Sequence, residues 1–206
     1  MTNRQAAGNG IAGGLAAAQY QGVNAPATEL RFPLVKRNHF GKTTTFSIQN
    51  AGSTAATATA TFKVAAGDFP FTTPLIEPGR MVIINPAAAG VPEGNGVSVG
   101  SLTVTSSQPL AGVVSEHGSE QPALLLQSTR AFAPADGNVK AYAPIIKNEF
   151  FNRFTGLQVQ NISAATIDVS VTYNGSAGSC AGQTFTNSKT GLAAGAAHTF
   201  VHLVGQ

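Results

Sequence analysis

The chain of 206 residues carries 43% hydrophobic but only 10% charged side chains, which excludes a disordered polymer and leaves far less charge than the roughly 25% of an ordinary soluble domain. Its net charge of +3 comes from 12 basic against 9 acidic residues. With no long Lys/Arg run, and Arg31, Lys36, Arg37 and Lys42 as the densest basic group, the balance reflects scarce acids and not a nucleic-acid footprint.

In chain order, residues 1–30 form an arm rich in Ala, Gly, Gln and Asn, whose glycines argue against a stable helix. AAAQYQGVNAP (16–26) resembles LLLQSTRAFAP (124–134): an apolar run, a Gln, then Ala-Pro. The arm therefore reads as the last strand of a module otherwise absent, a candidate donor strand with Ile11, Leu15, Ala17, Tyr20 and Val23 as its side chains.

Residues 31–133 read as a complete sandwich, with strands expected at 31–36, 44–50, 55–64, 80–85, 97–105, 109–116 and 123–132. Turns are expected at 38–41, 50–53, 78–79, 92–96 and 106–109, where Asn, Gly, Ser and Pro cluster. Alternation in TFSIQN and TATATATFKV directs Ala56, Ala58, Ala60 and Phe62 inward and Thr57, Thr59 and Thr61 to water. Nothing sustains a helical period.

Residues 134–206 begin the same module again. PLVKRNHFGKTTTFSIQNAGSTAATATATF (33–62) returns as PIIKNEFFNRFTGLQVQNISAATIDVSVTY (144–173) at a constant offset of 111, with seven of 30 positions identical: Pro33, Lys36, Phe40, Thr44, Gln49, Asn50 and Thr61 match Pro144, Lys147, Phe151, Thr155, Gln160, Asn161 and Thr172. Self-similarity at a fixed period is the mark of a repeated module. The turn at Pro78-Gly79 corresponds to Ala194-Gly195, after which counterparts of 97–105 and 110–116 are not found. The second sandwich is therefore expected to be incomplete and open. Its candidate acceptor residues are Leu157, Val159, Val169, Val171 and Phe200.

The unit PLVKRN…FSIQNAGSTAATATATF, then IEPG, then SLTVTSSQPLAGVVSEH, resembles the immunoglobulin-like repeats of bacterial cell-surface and extracellular structural proteins. Such repeats carry a strand like IQVQN, an alternating Ala/Thr/Val strand, a Pro-Gly turn and a strand like VTSxxPLAxVVxE. The likeness spans 31–132 fully and 142 to about 204 in part. It implies tandem immunoglobulin-like β-sandwich modules in an exported scaffold, adhesin or fibre component, extracellular or on a cell surface, and it implies no chemistry.

Signals for chemistry are thin. His198 and His202 are four apart, which on a strand means one face but roughly 13 Å, too far to share a metal. Asp136, Asn138 and Glu149 could supply calcium oxygens only with further ligands, and Asp136-Gly137 reads as a plain turn. No acidic pair stands out for glycoside hydrolysis, and neither a phosphate-cradling loop nor GxSxG is present. Cys180, the single cysteine, cannot form an intrachain disulfide; it reads as a small loop residue or as a thiol for another chain. Asn161-Ile-Ser and Asn174-Gly-Ser are formal glycan acceptors, but Asn161 matches Asn50 at a strand end where its side chain can bond the turn backbone. No catalytic, cofactor or metal residues are expected.

No apolar run is long enough for a membrane helix, and Met1-Thr-Asn-Arg-Gln is not followed by a secretory apolar core, so export implies that a signal was removed or that Met1 is not the natural start. The leading expectation is a structural subunit that polymerises with other copies of itself, a strand of one completing the open sandwich of the next. The alternatives are a surface adhesin or glycan- or protein-binding module that uses loops including 87–96, and a virion tail or decoration protein.

Overall fold

The computed structural model describes residues 2–5, 16–118, 125–149 and 154–201. It is all-β, and it divides into two compact units, Met1–Gly137 and Asn138–Gln206. The division falls close to the expected boundary at 133/134, and the first unit takes in the amino-terminal arm.

The arm contributes a hairpin, β1 (Thr2–Gln5) against β2 (Ala16–Gln19). The other strands of the first unit are β3 (Ala27–Val35), β4 (Lys42–Asn50), β5 (Ala58–Val64), β6 (Gly67–Thr72), β7 (Met81–Ile84), β8 (Gly100–Gly118) and β9 (Leu125–Arg130), and β2 lies against β9. Strands β3 to β9 form one curled antiparallel sheet around β8, which is 19 residues long. Its first half pairs with β5 on one side and β3 on the other, in registers such as Leu102↔Phe62 and Leu102↔Phe32. Its second half pairs with β4 and β9, as in Val114↔Phe46 and Val114↔Thr129. A single strand thus belongs to two layers.

The two layers face each other across a core of Phe32, Phe46, Ile48, Phe62, Leu102, Val104 and Leu110. Phe46 stands edge-on to both Phe32 and Phe62, with ring centroids 5.1 and 5.8 Å apart, the arrangement aromatic quadrupoles favour. The alternation along β5 follows the expectation, since Ala58, Ala60, Phe62 and Val64 are buried while Thr59 is exposed.

Two departures from the expected strands follow from the sheet topology. The expected turn at 106–109 is continuous strand: Ser-Ser-Gln-Pro marks the corner where β8 passes from the β5/β3 layer to the β4/β9 layer. There the Ser106 hydroxyl donates to Thr57 O at 2.9 Å and Pro109 O accepts from Ala51 N–H at 2.8 Å. Polar and Pro residues punctuate a bend as readily as a reversal. The second departure is β6, GDFPFT, whose Pro70 argues against a strand in sequence. It lies at the edge of the sheet order, where a residue without an N–H leaves no ladder bond unmade.

The second unit contains β10 (Gly156–Gln160), β11 (Ile167–Asn174), β12 (Thr184–Leu192) and β13 (Ala197–Val201), arranged as two separate antiparallel pairs, β10 with β13 and β11 with β12.

Candidate functional site

The repeat seen in sequence is a repeat of hydrogen bonds. Asn50, at the end of β4, is fully buried; its Nδ2 donates to Thr54 O and Ile76 O, both at 2.8 Å, and its Oδ1 accepts from Gly52 N–H at 2.9 Å. Asn161, at the end of β10, repeats this with Ala165 O at 2.7 Å, Leu192 O at 2.9 Å and Ser163 N–H at 2.9 Å. Burial and these two donated bonds occupy the amide that a glycan would need, so Asn161 is a structural residue. The glycine turn is repeated too: Gly79 and Gly195 adopt φ of 73° and 74° and donate to Asn50 O and Asn161 O, each at 2.8 Å. That left-handed conformation is what glycine supplies without steric cost. Lys36 with Thr44 and Lys147 with Thr155 form the same two-bond clasp, each with a 3.0 Å bond from Lys N–H to the Thr hydroxyl.

From this shared frame the strands of the second unit can be matched to the first. β10–β13 corresponds to β4–β7, since Leu157↔Phe200 repeats Phe46↔Ile84. β11–β12 corresponds to β5 with its neighbour, since Ile167↔Leu192 repeats the bridge Ala56↔Ile76. In the first unit β4 and β5 each have a second neighbour, and for both it is β8. Among the described residues β10 and β11 have no second neighbour. Among the described residues the edge of each that β8 fills in the first unit therefore carries no strand.

The side chains report the same difference. Phe46, Ile48, Ala58, Ala60 and Phe62 are fully buried, whereas their counterparts Leu157, Val159, Val169, Val171 and Tyr173 are half-buried. Of the acceptor residues named from sequence, Phe200 is buried and the other four line the half-covered face. Burying a Val or Leu side chain fully stabilises by about 1.5–3 kcal/mol, so four partly covered ones leave roughly 2 kcal/mol of burial unrealised. Residues 138–149, which include the counterpart of the end of β3, form no strand, and Val139, Tyr142 and Ile145 stand exposed. In the first unit β3 has β8 as its ladder partner; without such a partner the exposed segment leaves its backbone groups to water and not to a ladder.

Of the candidate donor residues, Ala17 lies in β2 opposite Arg4, Tyr20 and Val23 come after it outside any strand, and Ile11 and Leu15 lie outside the described residues. Cys180 is half-buried in a short 3-10 turn, Gly178–Cys180. Asp136 accepts from Arg130 at 2.9 Å and from Ala133 N–H at 2.8 Å, and this guanidinium, followed by the backbone bond, holds its carboxyl below the ordinary range. No group of three or more His, Cys, Asp or Glu able to hold a metal occurs among the described residues, and His202 lies outside them.

No protein-family model matches the chain, and no curated protein does. Among solved structures it is similar to the one described as Thermotoga maritima 1070, at 18% identity and a TM-score of 0.44, over 53% of this chain and 96% of that one.

Proposed function

We propose that this protein is a structural subunit built from immunoglobulin-like modules, which assembles head to tail when a strand of the next subunit completes the open second module, giving an extracellular filament or surface appendage. The observation that carries the reading is that, among the described residues, β10 and β11 each lack the neighbour that β8 supplies in the first unit, beside a half-buried apolar face. Backbone groups on an open edge form a template for a further strand, and the alternating side chains beside it select which one. Contacts of this kind join one surface to a different one, so they propagate without needing to close.

The completing strand has the pattern of β8: alternating apolar residues that satisfy β11 with one half and β10 with the other. Electron microscopy and light scattering of the purified chain across a concentration series provide the test. Growing filaments, capped by an added peptide of sequence 100–118, are the expected result. A monodisperse monomer at the highest concentration, with no peptide bound, would overturn the proposal.

A further inference from the structure

The reversal between β3 and β4 contains a residue that neither the turn nor the core requires. His39 and Lys42 exchange both backbone hydrogen bonds, at 2.9 and 3.1 Å, enclosing the two-residue loop Phe40-Gly41. Both central residues have positive φ, 47° and 68°. Turns of this form favour Asn-Gly or Asp-Gly, and a bulky side chain at positive φ is a rare and strained occupant. The Phe40 side chain receives no burial in return, since the residue is 62% exposed.

The turn is braced against the loop 91–96. Phe40 N–H donates to Asn95 Oδ1 at 2.6 Å, Asn38 Nδ2 to Glu93 Oε1 at 2.6 Å, and Gly94 N–H to Arg37 O at 3.0 Å. The His39 ring stands edge-on to that of Phe40 at 4.6 Å. Asn38 also has positive φ, 49°. Strain held in place by this many ties is characteristic of ligand-contacting positions.

Between turn and loop lies an open cleft of about 320 Å³, lined by Asn38, Phe40, Gly41, Gly94 and Asn95. Its chemistry is narrow: one aromatic face, two carboxamides, two glycine backbones and no charged side chain. Of the neighbouring cations, Lys36 and Arg37 are drawn to Glu116 and Glu93, and Lys42, across the turn from His39, is not part of the cleft lining. A flat apolar face flanked by amide donors and acceptors is complementary to a sugar ring, whose C–H face stacks while its hydroxyls hydrogen-bond. We infer that this cleft binds a neutral oligosaccharide, with Phe40 as its stacking platform. The second unit repeats part of the pattern, with Glu149 in the place of Asn38 at φ of 56° and, in the sequence, a phenylalanine, Phe151, two residues later.

The inference is independent of strand completion and is tested on the full chain, with immobilised neutral gluco-, manno-, galacto- and xylo-oligosaccharides as probes and a heparin fragment as the charged control. At least one neutral probe is expected to bind and to shift the amide resonances of Gly94, Asn95 and Gly96. Phe40→Asn, which gives the turn its preferred residue, is expected to leave the melting temperature equal or higher while weakening binding at least tenfold, and Phe40→Tyr is expected to keep it. Binding to heparin alone, no binding to any probe, or unchanged affinity in Phe40→Asn would overturn the inference. A large fall in the melting temperature of Phe40→Asn would also overturn it, by showing that the ring supports the fold.

Discussion

In the first unit, Phe46, Ile48, Ala58, Ala60 and Phe62 lie fully buried beneath a sheet that β8 threads twice. In the second, Leu157, Val159, Val169, Val171 and Tyr173 occupy the same positions on the same hydrogen-bonded frame and remain half-buried. The inner residues of the second unit are apolar too, apart from the Tyr173 hydroxyl; Ala58 and Ala60 are in fact replaced by the larger Val169 and Val171. The difference teaches that the frame and its cover are separable. Asn50 or Asn161, the glycine turn and the Lys–Thr clasp build two strand pairs unaided, and a long strand from elsewhere turns those pairs into one core.

The comparison breaks most sharply at Phe46. Phe46→Ala should destabilise the first unit by about 3–5 kcal/mol, as aromatic truncations in closed cores do, whereas Leu157→Ala should cost the second unit about 1–2 kcal/mol because its side chain is only partly buried. Denaturation followed by hydrogen exchange resolved for each unit would check this, and equal losses would show that the second core is as closed as the first.

Next in size are Asn50→Ala and Asn161→Ala. Each removes two donated bonds and an accepted backbone bond at a buried site, with the Ser163 hydroxyl also donating to Asn161, so each should cost its own unit about 2–3 kcal/mol. Here the two units should behave alike, and a large disparity would mean the frames are not equivalent.

Val159→Lys should cost the isolated chain under about 1 kcal/mol, since a lysine on a half-open face can extend its ammonium into water. The same change should abolish assembly, which sedimentation would read directly.

The smallest expected effect is on pH. Burial lowers the pKa of His39 and His117 in the first unit and of His198 in the second, with Lys36 adding to it at His39 and Lys189 at His198. The unfolded chain therefore binds protons more readily than the folded one. Stability present above the ordinary imidazole value of 6.5 should decline as pH falls through the lowered folded values. Melting curves at about pH 8 and about pH 5 should show both units modestly weaker in acid.

Much of this is legible in the residues. The 111-residue offset locates both frames, Asn161 matches Asn50 by position alone, and the alternation of β4 and β5 assigns their buried faces. β8 is not legible as one strand, because Ser106-Ser-Gln-Pro carries the chemistry of a turn and local pattern cannot tell a corner between layers from a reversal. β6 is obscured by Pro70, whose position at a sheet edge is a fact of topology. The turn at Phe40 is legible, but the direction of its ring is not, since sequence does not reveal which phenylalanine a positive φ turns outward.

By itself the sequence determined the repeat, the strand faces and the buried asparagine that terminates each frame, because these depend on residue identity at short or fixed spacing. Only the tertiary structure decided how the first frame is covered, by one strand that passes from one layer to the other. Covering β4 and β5 takes a strand that begins 36 residues after β5 ends, at Gly100 against Val64, and no local periodicity records that its two halves are continuous across Ser106-Ser-Gln-Pro.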